Sequence, residues 1–246
     1  MERSGLILVD KPKGITSYDV IRLLKGFLST KKIGHTGTLD PIATGLLIIL
    51  IGNSTKLANH FIKQDKVYRF TIKLGQDTDT MDSTGKIIKE GDYKFISKER
   101  FGEAIKSFIG EIEQFPPMFS AVKFKGMPLY KYARRGEAID VKPRVVKVFN
   151  IAIDEFNLPY VMLTSRVSSG TYIRALAKSI GDVVGCYAHV TDLTRLSIGE
   201  LKLENAFTAN AIGQMSKNND FSFIIPMERL VSNIKDSRLF EEKIRN

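Results

Sequence analysis

The sequence contains a single cysteine and no long apolar run. One cysteine, Cys186, excludes an internal disulfide and a zinc site built from several cysteines, and we expect it to be a reduced thiol in a cytosolic protein. The apolar run from Leu46 to Ile51 is far too short to cross a membrane. The apolar stretch that ends at Val9 is too short for a signal sequence. We therefore expect a soluble, cytoplasmic protein that does not bind membranes.

Motifs of several common enzyme classes are also absent. The sequence has no GxxxxGK phosphate-binding loop and no GxGxxG that opens a helix. It has no GxSxG, the motif that carries the nucleophile of many hydrolases. The three histidines, His35, His60 and His189, lie far apart in sequence, so we expect no metal site.

The basic residues are concentrated in the amino-terminal third of the chain. The 246 residues carry a net charge of +10, with 43% hydrophobic and 26% charged residues, ordinary values for a globular protein. Residues 1–74 contain twelve Lys or Arg and five Asp or Glu, a balance of +7 that leaves +3 for the rest. This concentration favours a surface for a polyanion, with RNA and DNA as the leading candidates. A solvated basic face that only aids solubility is the alternative.

The pattern of apolar residues predicts an α+β fold. Gly5–Val9 has the composition of a buried strand, and Thr16 or Ser17 can cap a helix. Alternation of apolar and polar residues from Tyr68 to Leu74 is typical of a half-buried strand. Further strands are predicted over 46–51, 145–156, 160–167 and 188–196, and helices over 55–62, 97–109, 171–184 and 208–215. Because strands and helices interleave without a strict repeat, we expect a mixed, largely antiparallel sheet flanked by helices.

A loop from Gly34 to Gly45, rich in glycine and threonine, carries the acid Asp40. Pro41 biases Asp40 away from helical dihedral angles, and the glycines permit a ligand to approach the backbone closely. An acid on such a loop, just before a buried strand, is well placed at the edge of a cleft. From the residues alone, Asp40 is either a ligand-facing acid or a residue that caps its own loop.

Five segments of the chain carry motifs in a fixed order. They are DKPKGITS at 10–17, GHTGTLDPIATG at 34–45, KVYR at 66–69, SGTYIR at 169–174 and HVTDLTRL at 189–196. Together they resemble the motifs of the bacterial tRNA pseudouridine synthase B family, whose members isomerise the uridine at position 55 in the T loop of tRNA. The resemblance implies a pseudouridine synthase fold and an isomerase that flips its target base out of the RNA.

The resemblance also implies the roles of four residues. Asp40 is the nucleophile, which attacks either the sugar or the base of the target uridine. Arg174 matches the family arginine that pairs with this acid, a suitable partner because a guanidinium stays protonated under all working conditions. Tyr68 would stack on the target base and take the proton bound to carbon, although from the residues alone a strand residue that fills the core is the alternative. His35 would fill the space that the flipped uridine leaves.

Further residues are assigned to binding by their motif positions. Tyr172 and Leu193 would line the uracil pocket, although simple core packing is the alternative for Leu193. Lys11 and Lys123 are expected to face the RNA, and Pro12 to shape the first loop. No cofactor and no metal are implied, because the isomerisation is redox-neutral and the acid supplies the covalent chemistry.

The resemblance divides the chain into regions. We expect a catalytic domain at 1–225 with an insertion at 116–146, rich in aromatic and basic residues, that clamps the T arm of tRNA. Residues 226–246 are expected to form a charged helix or tail, too short for a separate RNA-binding domain, which argues against relatives that need a guide RNA. We expect a monomer. The rival interpretations are a non-catalytic RNA-binding protein on the same fold and a related synthase for another RNA.

Overall fold

The computed structural model of the protein describes residues 3–28, 30–137 and 139–232. The chain divides into two compact units: unit 1 comprises Met1–Gln64 and Arg195–Asn246, and unit 2 comprises Asp65–Thr194. The predicted catalytic domain, 1–225, includes residues of both units. Of the predicted terminal helix or tail, residues 233–246 lie outside the described part of the chain.

Strands and short helices alternate along the chain. The strands are β1 (Gly5–Lys11), β2 (Ile33–His35), β3 (Thr44–Ile51), β4 (Lys66–Leu74), β5 (Gln76–Thr78), β6 (Ile87–Glu90), β7 (Gly110–Gln114), β8 (Lys123–Phe124), β9 (Met127–Pro128), β10 (Arg144–Asn157), β11 (Tyr160–Val167), β12 (Ala188–Ile198), β13 (Leu201–Lys202), β14 (Phe207–Thr208) and β15 (Ile224–Pro226). The α-helices are α1 (Ser17–Phe27), α2 (Ala58–Lys63), α3 (Lys98–Lys106), α4 (Leu129–Ala133), α5 (Ile173–Val184), α6 (Ala209–Lys217) and α7 (Met227–Ser232).

Unit 1 is built around β1 and β3. These strands pair antiparallel from Gly5 opposite Ile51 to Lys11 opposite Gly45, and β2 pairs antiparallel with the other edge of β3. The short strands β14 and β15 pair with β1, the first parallel and the second antiparallel. Seven of the eight residues of β3 are buried, which explains its continuous apolar sequence. Helix α1 begins with a capping box between Thr16 and Asp19, which confirms one of the two predicted caps.

Unit 2 contains a sheet with the strand order β12–β4–β11–β10–β7, in which β4, β11, β10 and β7 pair antiparallel. Burial alternates along β4, as its sequence predicted. Helix α5 packs against β4 and against α3. It ends at Val184 and is capped by Gly185, whose φ of 89° is the left-handed conformation that glycine adopts readily. The α+β class and the largely antiparallel pairing are therefore confirmed.

The structure changes several predicted boundaries. Residues Gly52–Leu57 form a 3₁₀ helix, so the α-helix predicted over 55–62 begins only at Ala58. The ends of the predicted loop 34–45 belong to β2 and β3, which form a hairpin around its centre. Among the described residues, no helix is long and apolar enough to cross a membrane. The same residues contain no cluster of His, Cys, Asp or Glu able to hold a metal ion.

Candidate active site

Asp40 lies in the connection between β2 and β3, in unit 1. The N–H of Ala43 donates to the carbonyl of Asp40 at 3.0 Å, which closes a four-residue turn with Pro41 at its second position. Proline fixes φ near the value that this position of a turn requires. Asp40 itself is half-buried. The acid therefore has a defined backbone conformation and keeps some solvent access.

The residues on both sides of Asp40 are bonded to the segment that leads into α1. Ser17 is 1% exposed, and its Oγ accepts from the Leu39 N–H at 2.9 Å and donates to the Leu39 carbonyl at 3.2 Å. On the other side, the N–H of Gly14 donates to the carbonyl of Pro41 at 2.7 Å. The turn is thus fixed through its main chain immediately before and after the acid.

A buried arginine joins the two ends of the loop. Arg195 is 1% exposed; its Nε donates to the carbonyl of Leu46 at 2.7 Å and its Nη2 to that of Gly37 at 3.2 Å. No role was predicted for Arg195, although it lies in the fifth motif, at 189–196. An arginine within an apolar strand such as β12 is the signal that could have identified it, because a buried guanidinium must find several acceptors.

Lys11 does not occupy the RNA-facing position that we predicted. It is fully buried at 0% exposure, and its Nζ donates to the carbonyls of Pro12 at 2.8 Å and Ile15 at 2.7 Å. Burial lowers the pKa of Lys11 to about 8, and the nearby carboxylate of Asp40 opposes this shift. The prediction of an exposed Lys11 is wrong, because the lysine folds back onto the turn after β1. Pro12, by contrast, is exposed in that turn.

His35 is half-buried at the end of β2, where it pairs with Ile49. Burial lowers the pKa of His35, and the nearby positive charge of Arg195 lowers it further. The imidazole is therefore neutral at neutral pH. Its Nδ1 is buried and has no hydrogen-bond partner among the described residues.

Unit 2 holds Arg174 in the first turn of α5. Arg174 is 4% exposed, and its guanidinium donates to the carbonyls of Thr80 and Phe119, each at 2.8 Å. The carboxylate of Asp82, also buried, lies 3.5 Å from Nη1. The arginine is thus oriented by the turn that follows β5 and by the predicted insertion, to which Phe119 belongs.

Tyr68, Tyr172 and Leu193 also lie in unit 2. Tyr68 is buried on β4, opposite Ser165 of β11, and Leu193 is buried in β12. Tyr172 is half-buried just before α5. Its N–H donates to Oε1 of Gln114 at 2.9 Å, and its carbonyl accepts from Nε2 of the same side chain at 3.2 Å. A single glutamine therefore fixes the main chain of Tyr172.

The insertion at 116–146 places exposed cations beside half-buried aromatic rings. Lys123 is exposed on β8, which forms a hairpin with β9. The rings of Phe124 and Tyr132 meet edge to face with centroids 6.0 Å apart, and Nζ of Lys125 lies 5.5 Å from the Phe124 ring. Exposed cations beside aromatic rings suit contact with phosphates and unstacked bases.

Comparison with known proteins identifies the family. Residues 25–173 match the model of the TruB family pseudouridylate synthase amino-terminal domain, and residues 174–232 match that of the tRNA pseudouridylate synthase B C-terminal domain. These matches define the protein as a pseudouridylate synthase, an isomerase that converts uridine to pseudouridine in RNA. The chain belongs to the TruB family, which confirms the resemblance carried by its five motifs.

Two relatives show how far the similarity extends. The chain is 44% identical over 229 residues to tRNA pseudouridine synthase B of Clostridium tetani, covering 93% of this chain and 78% of the relative. It is 41% identical over 221 residues to tRNA pseudouridine synthase B of Geobacter sulfurreducens, covering 90% of this chain and 73% of that one.

Solved structures show the same fold. A chain of a Cbf5–Nop10–Gar1 complex superposes with a TM-score of 0.69 at 28% identity, covering 92% of this chain. A chain of an H/ACA RNP bound to a substrate RNA containing 2′-deoxyuridine superposes with a TM-score of 0.68 at 26% identity. This chain spans 61% of the length of the matched chain in the Cbf5–Nop10–Gar1 complex and 60% of that in the H/ACA RNP.

Proposed function

We propose that this protein isomerises the uridine at position 55 in the T loop of tRNA, and that it acts as a monomer without a guide RNA. The observation that carries the proposal is the match of both TruB models along residues 25–232. Identity to relatives named tRNA pseudouridine synthase B is 36–44%, against 28% to the matched chain of the Cbf5–Nop10–Gar1 complex. A tRNA substrate would place the protein in the cytoplasm.

The reaction moves the base from one ribose bond to another. The bond between ribose C1′ and uracil N1 breaks, the base turns, and a new bond forms between C1′ and C5. The proton on C5 is removed and N1 gains a proton, so the composition of the nucleotide does not change. The chemistry needs a nucleophile, a proton acceptor and a pocket that retains the detached base.

Asp40 is the proposed nucleophile. Its carboxylate would form a transient bond to the ribose or to the uracil ring, and this bond would break when the new carbon–carbon bond forms. Either route requires a carboxylate that is held in one position relative to the target. The bonds that fix Leu39 and Pro41 on either side of it support this role.

Arg174 is proposed to supply the positive charge that keeps the Asp40 carboxylate ionised during the reaction. An arginine suits this role because it stays protonated in a desolvated site. Its guanidinium is oriented by two carbonyls and by Asp82, so little reorganisation is needed when substrate binds.

The remaining site residues are proposed to handle the base. Tyr68 would stack on the uracil and take the proton from C5, and Tyr172 and Leu193 would line the pocket. His35 would occupy the gap in the RNA stack from which the uridine is flipped. A neutral imidazole suits that position, because no charge has to be desolvated when it enters the stack.

The insertion is proposed to close over the T arm. Lys123 and its neighbours present positive charge and aromatic surface on a two-stranded hairpin. Because folded RNA is recognised largely by shape and by splayed bases, such an element would contribute to affinity and specificity. In this division of roles, unit 1 contributes the nucleophile and the insertion of unit 2 contributes RNA contacts.

The direct test uses unmodified tRNA transcripts. The protein is incubated with a transcript, and pseudouridine is mapped chemically along its length. The expected product is pseudouridine at position 55 alone, and a transcript with cytidine at that position should stay unmodified. Modification at another site, or only in another RNA, would overturn the substrate assignment.

A further inference from the structure

We propose that Ser17 is a positioning residue for the nucleophile, which it fixes through the main chain of Leu39. The inference rests on the proposed role of Asp40 and adds a residue to which the motif comparison assigned no function. Ser17 does not touch the substrate in this proposal. It determines where the Asp40 carboxylate lies when the flipped base arrives.

The geometry of Ser17 is that of a specific anchor. Its hydroxyl both accepts from the N–H of Leu39 at 2.9 Å and donates to the carbonyl of the same residue at 3.2 Å. One side chain thus satisfies both main-chain polar groups of the residue immediately before Asp40. Buried main-chain groups without a partner are costly, so these two bonds constrain the turn strongly.

The anchor is attached to a rigid element. Ser17 is the first residue of α1, which begins with the capping box of Thr16 and Asp19 and buries Val20 and Leu24. Leu39 is itself buried, so the two residues meet inside unit 1 and not at its surface. A functional group needs its position held to about 0.5 Å, and support from a packed helix provides this more precisely than a loop does.

The bond from Gly14 to Pro41 completes the arrangement. It reaches the residue immediately after Asp40 at 2.7 Å from a turn only three residues before Ser17. Gly14 and Ser17 therefore hold the acid from its two sides. The Gly14 bond is made by the main chain and persists in any side-chain variant, so loss of the Ser17 hydroxyl would release only one side of the turn.

The substitution Ser17→Ala isolates this contribution. Alanine preserves the helix and removes only the hydroxyl, so we expect the chain to fold. The single-turnover rate of pseudouridine formation should fall by about 10- to 100-fold, since a displacement of 1 Å can cost about 100-fold. Affinity for tRNA should change by less than about threefold, because the side chain of Ser17 is buried and presents almost no surface to a ligand.

Thr16→Ala is the matched control on the same helix. It removes a methyl group and a hydroxyl that accepts from the N–H of Asp19 at 3.1 Å and donates to the Asp19 carboxylate at 2.6 Å. Loss of this cap costs about 1 kcal/mol of helix stability. The rate of Thr16→Ala should stay within about twofold of wild type, although its unfolding midpoint should fall.

The measurements are the single-turnover rate, the tRNA dissociation constant and the unfolding midpoint of the three full-length proteins, with amide hydrogen exchange at Leu39 of the wild type. A rate loss confined to Ser17→Ala supports the proposal. Equal single-turnover rates for wild type and Ser17→Ala would overturn it. Rate losses in both variants, each in proportion to the fall in that variant's unfolding midpoint, would also overturn it. Free hydrogen exchange at the Leu39 amide, while the amides of α1 remain protected, would overturn the proposal as well. Absence of pseudouridine with the wild-type protein would instead refute the proposed function.

Discussion

The turn around Asp40 and residues 121–145 of the insertion are held in contrasting ways. Of residues 36–43, four are buried, and the turn is bonded to Ser17 and to Arg195, which lie elsewhere in the sequence. Between residues 121 and 145 of the insertion, only Leu129 is buried among the described residues. Its N–H donates to the carbonyl of Val122, a bond within the insertion itself.

This difference suggests that the two regions have separable functions. A covalent step tolerates little displacement, and the Asp40 turn has main-chain anchors from outside its own segment. Recognition of a folded RNA requires a surface that can adapt, and the insertion offers exposed side chains on a small hairpin. Substitutions in the turn should therefore reduce the chemical step, and substitutions in the insertion should reduce binding.

The largest effect is expected for Asp40→Asn. The amide keeps the size of the side chain but cannot act as the nucleophile, so turnover should fall by roughly 10⁴-fold or more. Binding of tRNA should be largely retained, because the charge of one half-buried acid is a small part of a tRNA interface. Single-turnover pseudouridine formation and a filter-binding titration measure the two quantities. Retained turnover would contradict the mechanism, and a wild type that binds tRNA without modifying it would favour the non-catalytic interpretation.

Replacement of Arg195 by Met should give the next largest effect. Methionine fills similar space but leaves the carbonyls of Leu46 and Gly37 without their donor, which should lower the free energy of unfolding by about 2–3 kcal/mol. Urea unfolding measures this loss. The control is Arg166→Met, because Arg166 is an exposed residue whose ion pair with Asp65 should contribute less than about 1 kcal/mol. Equal losses in the two variants would show that the loop does not depend on Arg195.

Local features of the site could be predicted from sequence, and long-range contacts could not. The capping box of Thr16 and Asp19 lies within four residues, and the alternation in β4 depends on neighbouring positions, so both are encoded locally. The bonds of Ser17 to Leu39 and of Arg195 to Gly37 span 22 and 158 residues. No periodicity in the sequence specifies such contacts.

Lys11 shows why a motif position can mislead. Its place in the first motif predicts an RNA-facing lysine, and lysine is almost never fully buried. Here the turn after β1 brings the carbonyls of Pro12 and Ile15 to its ammonium group, and Asp40 supplies a nearby negative charge. Those groups compensate for only part of the lost hydration, because the pKa of Lys11 still falls to about 8. Only the three-dimensional course of the turn reveals them.

A smaller effect is expected for Lys123→Ala, which tests the insertion. Loss of one exposed positive charge should weaken tRNA binding a few-fold and reduce the salt dependence of binding by about one released ion. The rate at saturating protein should not change, because Lys123 is not proposed to act in the chemical step. Lys106→Ala is the matched control, an exposed lysine on α3 that is paired with Glu103. A salt dependence of tRNA binding that is the same in both variants would contradict the clamp.

The last effect concerns stability and comes from the titration of Lys11. Its pKa is about 8 in the folded protein and near 10.5 in the unfolded chain, so between these values the unfolded chain binds the additional proton. The contribution of Lys11 to the free energy of unfolding therefore rises with pH from about 8 to 10.5, and it is independent of pH below 8. Urea unfolding of wild type and Lys11→Met at pH 7, 8, 9 and 10 should show a difference that shifts in favour of wild type above pH 8. A constant difference across this range would mean that buried Lys11 keeps its proton, and that the carbonyls of Pro12 and Ile15 together with Asp40 compensate fully for its lost hydration.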